Sequence, residues 1–349
     1  MPQPKRLARR VLIPAALALT SLALALIVAE IAVRRLNPYG ISYYRDTNRY
    51  LNEAIELTGE DRPEGRIFHN RPSVALTYPD FEFRTNALGL RTGRTGDDVA
   101  LAPDPERARV LFLGDSVTLG WGVDDEDTWI RTLEREARFA DGRPLQCLNA
   151  GHLQYNTLQE LDWLRAFGVH LAPNAVVLTF VVNDLDDAFG LYQEYMRMLA
   201  TPPGFAERAK GRVLAWFRGL HGLATFLASR DDAKSVDELK IERPEDTDQY
   251  QERWPIAEAA LDDMRATCEQ LGARFAVLDH TTPRLPGVRA WCEANDVPYV
   301  DFAFTEDEWA RDIRNSLADS HANPLGNRIL ADKALAGLAA AGILAEDED

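Results

Sequence analysis

The sequence predicts an α/β fold built around a parallel sheet and preceded by one apolar helix. Three observations carry this. From residue 109 onward, short apolar runs alternate with stretches of helical spacing. Such alternation gives parallel strands with helices covering both faces. The run Ala175 to Val182 is dense in β-branched and aromatic residues, as a buried strand requires. Near the N-terminus, Val11 to Ala29 contains no charged residue. At about 1.5 Å per residue that run matches a hydrocarbon core of ~30 Å.

Lys5, Arg6, Arg9 and Arg10 precede the apolar run. Positive charge before a span places the N-terminus in the cytoplasm and the bulk of the chain outside. Glu30 then falls near the far headgroups, with Arg34 and Arg35 just beyond. Ala23-Leu24-Ala25 has the small-residue pattern of a signal-peptide cleavage site. The apolar run continues through Leu26, Ile27, Val28 and Ala29, however, which favours an uncleaved anchor. The expected layout is a basic N-terminus over 1–10, a membrane anchor over 11–33, a juxtamembrane segment over 34–108 and the main domain over 109–344.

The juxtamembrane segment gives weak signals. Tyr39, Tyr43, Tyr44 and Tyr50 suit a membrane interface. Phe81-Glu82-Phe83-Arg84 alternates like a short strand, Asn86 to Leu90 reads as a turn, and the charged, Pro-containing stretch Asp97 to Arg109 suits a linker. In the main domain, strands are expected at Arg109–Gly114, Leu145–Ala150, Ala175–Val182, Arg274–Asp279 and Val297–Phe302. Helices are expected at Thr128–Phe139, Thr157–Phe167, Ala257–Leu271, Val288–Asn295 and Asn327–Ala341. Residues 186–256 interrupt the alternation. Val213, Trp216, Phe217, Leu220, Leu223, Ala224 and Leu227 recur there at helical spacing, which suits a core-packed helix, a lid or a helix lying on the membrane. An acidic stretch from Asp231 to Asp248 follows and reads as a solvated loop.

The net charge of -16 argues against a nucleic-acid partner, which needs clustered Lys and Arg. Cys147, Cys268 and Cys292 form no CxxC pair. They are expected as buried free thiols, with a Cys268–Cys292 disulfide as the alternative. No residue cluster has metal-ligand spacing, so neither a metal nor another cofactor is expected.

Four short blocks carry chemistry. Gly114-Asp115-Ser116 follows the first strand, where a Ser hydroxyl needs a neighbouring base to become a nucleophile. Asn149-Ala150-Gly151-His152 follows the second strand, and Gly lets a backbone N–H approach a developing oxyanion. Asn183-Asp184 ends the third strand with an uncharged amide donor. Asp319-Ser320-His321 precedes the last helix and offers an imidazole with a carboxylate two residues earlier. Such a carboxylate fixes the tautomer of the base and stabilises its charged form. All four blocks fall where strands end or the last helix begins, on the rim where α/β sheets bind ligands. Asp115 and Asp184 read as structural, His152 as a pocket-rim residue, and His69, His170, His221 and His280 as scattered and non-functional.

In these blocks the chain resembles the SGNH, or GDSL-type, hydrolases, over roughly residues 109–341. The anchor, the segment Thr85 to Arg91 (TNALGLR) and the segment Gly114 to Val123 (GDSVTLGWGV) look like bacterial membrane-associated members. The resemblance implies a three-layer α/β/α sandwich like a flavodoxin, with the domain in the periplasm. It implies Ser116 as nucleophile, His321 as base and Asp319 as its orienting partner. Ser116 N–H, Gly151 N–H and Asn183 would form the oxyanion hole. The chain departs from the family in two places: Val181 stands where the third block often has Gly, and Ala318 where the last block often has Asp. The activity so implied is hydrolysis of an acyl ester, with a small-molecule, glycan or lipid alcohol. Acyl transfer to an envelope polysaccharide by the same residues, and a non-catalytic carbohydrate-binding module on the same fold, are the alternatives.

Overall fold

The computed structural model describes residues 4–37, 40, 42–57, 68–93, 100–185 and 248–346. The helical stretch 213–227, the acidic stretch up to residue 247, Tyr39 and His221 lie outside these residues. The chain divides into two compact units: one takes in the N-terminal helix and residues 316–319, and the other begins at Asp46 and holds the sheet.

In the first unit, α1 (Pro4–Leu36) is continuous through Pro14. The most apolar 18-residue window within Leu12–Leu36 has mean hydropathy 2.4, and none of that window is buried against protein. Arg34 pairs with Glu30 one turn earlier at 2.5 Å.

Helix α2 (Ser42–Glu53), which belongs to the second unit from Asp46 on, leads into two small antiparallel pairs. They are β1 (Ile55–Leu57) with β2 (Phe68–Asn70), and β3 (Ala75–Thr77) with β4 (Glu82–Arg84). The main strands are β5 (Ala108–Gly114), β6 (Leu145–Gly151), β7 (Ala175–Phe180), β8 (Arg274–Asp279) and β9 (Tyr299–Asp301). They form one parallel sheet in the order β6-β5-β7-β8-β9. This is the flavodoxin-like order, in which the chain reverses direction across the sheet between its first and third strands. The helices are α3 (Ser116–Leu119), α4 (Trp129–Glu136), α5 (Thr157–Ala166), α6 (Asp248–Leu271), α7 (Pro286–Ala294), α8 (Glu306–Trp309) and α9 (Pro324–Ala340).

Strand residues alternate between two apolar faces because both sides of a parallel sheet are covered. On one face Val110, Phe112, Val177 and Leu278 pack with Trp129 and Leu133 of α4 and with Leu330, Ala334 and Leu338 of α9. On the other, α5 lies against β5, and α6 and α7 against β8. The result is the expected three-layer α/β/α arrangement. The Cys268 and Cys292 thiols are free and buried within it.

Residues 46–57 and 68–93 pack as part of the sheet unit, so these parts of the segment expected to be juxtamembrane belong to the globular body. Arg91 N–H donates to Asn149 O at 3.0 Å, which covers the outer edge of β6. Tyr50 is fully buried, with its ring edge-on to Phe83 and Trp121, and does not lie at a membrane interface. Part of the expected linker is also structural: the buried Arg109 guanidinium donates to the carbonyls of Ala100, Leu101 and Ala102. Helix α6 begins nine residues before the expected Ala257, running through Pro255. A proline usually ends a helix, since it lacks the N–H and crowds the preceding turn, so periodicity alone placed the boundary after it.

Candidate active site

The crevice between the carboxyl ends of β5 and β7 marks the point where strand order reverses, and both Ser116 and Asn183 open onto it. Gly114 ends β5 at φ +150°, and a Cβ there would lie 2.2 Å from Thr118 Oγ1. Glycine therefore lets the strand turn directly into α3. Asp115 caps that turn, its Oδ1 accepting from Val117 N–H at 2.8 Å. Ser116 is the first residue of the turn, so its N–H has no acceptor within the helix.

The Ser116 hydroxyl lies 2.8 Å from His321 Nε2 and 3.1 Å from Asp115 Oδ2. The loop bearing His321 is pinned on both sides. Asn315 N–H donates to His321 O at 2.8 Å, and Asn327 Nδ2 donates to Ala322 O at 2.7 Å. Asn323 caps α9 through its Oδ1 and donates from Nδ2 to the carbonyls of Asp312 and Arg314.

Asn183 sits in the 3-10 turn Val182–Leu185. Asp184 holds that turn, accepting from Val181 N–H at 2.7 Å and from Thr157 Oγ1 at 3.1 Å. Asn183 Nδ2 donates one proton to Asp115 Oδ2 at 3.0 Å, and its second proton is available to a ligand. Asp115 thus joins the Ser116 turn to the Asn183 turn. Burial pushes its carboxyl above the ordinary range, while Val117 N–H, His321, Asn183 and Ser116 pull it back. Asp115 and Asp184 each accept from a loop backbone N–H.

Ser116, Asn183 and His321 line one cavity of about 280 Å³, together with Val181, His280, Thr282, Phe304 and Trp309. Asp319 is buried, and its backbone N–H and carbonyl are engaged by Ser316 at 3.0 Å each.

Three expectations need correction. The Gly151 N–H donates to Asn149 Oδ1 at 3.0 Å, and Gly151 lies beneath α3, where a Cβ would be 2.2 Å from Leu119 N. Its small size serves packing of that turn on β6, and it does not line the cavity. His152 is not at a rim. It is 1% exposed, stacks on Tyr155 at 4.3 Å, and gives its Nδ1–H to Ala150 O at 2.8 Å. Burial lowers its pKa to about 3. His280, read as scattered, is in the cavity wall at the carboxyl end of β8. Its signal was available: it directly follows a predicted strand, on the rim where the other blocks fall.

The sequence also gave no warning of Glu160. It is fully buried on α5, and burial, then repulsion from Asp184, raises its carboxyl well above the ordinary range. Among the described residues, no group of three or more His, Cys, Asp or Glu is placed to hold a metal ion.

No protein-family model matches the chain, and no curated protein matches it. Among solved structures, the chain is similar to a GDSL-like lipase from Bacteroides thetaiotaomicron, at 14% identity over 70% of this chain and 93% of that one, with a TM-score of 0.38. It is also similar to a psychrotrophic esterase from Pseudoalteromonas sp., at 14% identity over 66% and 96%, with a TM-score of 0.39. A third is an acetylxylan esterase from Geobacillus stearothermophilus, at 11% identity over 66% and 94%, with a TM-score of 0.38. These likenesses are distant, and the chemistry is read from this chain's own residues and distances.

Proposed function

We propose that the protein is a serine esterase held at a membrane by α1, with its globular unit outside the cytoplasm. The observation that carries the catalytic reading is the 2.8 Å approach of His321 Nε2 to Ser116 Oγ, inside a cavity at the strand-order reversal. A hydroxyl at this distance from a neutral imidazole nitrogen passes its proton as it attacks.

Ser116 Oγ attacks the ester carbonyl carbon, and its proton moves to His321 Nε2. The carbonyl oxygen becomes an oxyanion, which Ser116 N–H and the second Asn183 Nδ2 proton stabilise. The C–O bond to the alcohol then breaks, and the leaving oxygen takes the proton from His321. Water, deprotonated by the same imidazole, attacks the acyl-Ser116 ester and releases the acid. Asp319, two residues before His321, is the proposed carboxylate for the charged ring. Its support is sequence proximity and burial.

The test is Ser116→Ala in the full chain, assayed on acyl esters of graded chain length and probed with a fluorophosphonate. Turnover should fall by roughly 10⁴-fold or more, and labelling should vanish, with the circular dichroism spectrum unchanged. An active, folded Ser116→Ala protein would remove the reading.

A further inference from the structure

One histidine in the cavity wall takes no part in the mechanism above. His280 Nδ1 lies 3.1 Å from Phe302 O. A carbonyl only accepts, so Nδ1 carries the proton and Nε2 is left with a lone pair. Phe302 and Phe304 flank the ring with centroids at 5.6 and 5.4 Å, which fixes its plane. Nε2 has no protein partner among the described residues, and it is not closed off from solvent. Burial lowers the pKa to about 4, so the ring stays neutral at ordinary pH. The cavity therefore presents an uncharged, oriented hydrogen-bond acceptor among the same lining residues as the proposed nucleophile and base.

We propose that His280 binds substrate: its Nε2 accepts a hydrogen bond from a free hydroxyl on the alcohol half of the ester, which makes the substrate a partial ester of a sugar or other polyol. This rests on the serine-esterase reading. The reacting ester itself has no donor, since its carbonyl and ether oxygens only accept. A simple alkyl alcohol has none either, and would strip water from Nε2 without replacing the bond. A second hydroxyl supplies the missing donor. The rest of the wall suits such a group. Thr282 offers a further hydroxyl, and Trp309, partly exposed and edge-on to Phe304 at 5.2 Å, offers an aromatic surface for the C–H face of a sugar ring. The acceptor is neutral, so it recognises a hydroxyl without setting a full negative charge beside the developing oxyanion.

The experiment compares three acetates on the full chain in detergent: glucose monoacetate, fully acetylated glucose, which has no free hydroxyl, and p-nitrophenyl acetate. The proposal expects wild type to prefer the monoacetate to the fully acetylated sugar per ester group. His280→Phe should lower kcat/KM on the monoacetate about tenfold and change p-nitrophenyl acetate by less than about twofold. His280→Gln, whose amide oxygen can accept, should recover part of the loss. The rate of Ser116 labelling by a fluorophosphonate reports whether each variant keeps its site. Equal losses on both substrates with normal labelling, or no loss on either, would overturn the role of His280 while leaving the esterase reading intact. If the Phe variant fails to fold, the wild-type comparison decides, and a preference for the fully acetylated sugar overturns the proposal. A wild-type protein that neither hydrolyses an ester nor is labelled removes the esterase reading, and this proposal with it.

Discussion

The Ser116 hydroxyl has one proton and two acceptors within reach, His321 Nε2 at 2.8 Å and Asp115 Oδ2 at 3.1 Å. Asp115 already accepts from Val117 N–H and Asn183 Nδ2, and the imidazole is the nearer partner. For Asp319 the distinguishing measurement is kinetic. A carboxylate that steadies a charged imidazole acts in the transition state, so Asp319→Asn should lower kcat with little change in KM. Full kcat in that variant, with His321→Ala inactive, would reduce the triad to a dyad. His152 makes a prediction of another kind. Its folded pKa of about 3 lies below the unfolded value of 6.5, because burial opposes charging. Between those two values the unfolded chain binds more protons, so stability present above pH 6.5 is lost as pH falls, by up to about 1.4 kcal/mol per pH unit. His280 acts in the same direction. His152→Phe keeps a ring against Tyr155 but cannot titrate. Its Tm should fall less than that of wild type between pH 7 and pH 4.5. Parallel acid limbs would exclude this ring as the source.

At the scale of elements, the turn that carries the proposed nucleophile is held from outside the sheet. The Arg91 guanidinium is buried and donates to the carbonyls of Leu119, Gly120 and Val123, while its own N–H tethers the segment to β6. Around it, Tyr50, Tyr78 and Phe81 contact Trp121 with ring centroids 5.2–5.6 Å away. These residues explain why the segment before the sheet is folded onto it: it closes the open carbonyls that follow α3. Arg91→Met preserves bulk but leaves three carbonyls without their donor. It should cost roughly 3 kcal/mol or more in urea unfolding and slow fluorophosphonate labelling of Ser116. Unchanged stability would show that solvent can satisfy those carbonyls instead.

For the whole molecule, the proposed anchor raises the question of which side of a membrane the globular unit occupies. Helix α1 carries Leu12, Leu17, Leu19, Leu22 and Leu24 at 57–68% exposure, which an aqueous surface would not sustain over such a length. Four basic residues precede the run, and under the proposed anchor orientation would follow them. Alkaline phosphatase fused after residue 60 should be active, and a cytoplasm-dependent reporter at the same site silent. The opposite result would reverse the topology. A mature chain starting near Leu26 by mass spectrometry would show cleavage and end the anchor reading.

The sequence by itself determined the strands, because a strand covered on both faces must be a nearly continuous apolar run, and the segments at 109–114, 175–182 and 274–279 are such runs. It also singled out Ser116, Asn183 and His321 as candidates, since each stands at a strand end or just before the last helix, and parallel strands put those ends on one rim, where the three line one cavity. The tertiary structure decided what local pattern does not encode. The order β6-β5-β7-β8-β9 brings the ends of β5 and β7 together, and no residue in either strand announces its neighbour. Gly151 and His152 looked like site residues because Gly and His are site residue types. Their roles turned on partners far away in the chain, the underside of α3 for one and Tyr155 with a closed core for the other. His280 moved the other way, since its neighbour Phe302 lies on the far side of a helix in sequence. Arg91 and Glu160 are charged residue types that the fold buries. A charged side chain is placed by whether the surrounding fold supplies it with partners or proton affinity, and those are properties of packing between elements.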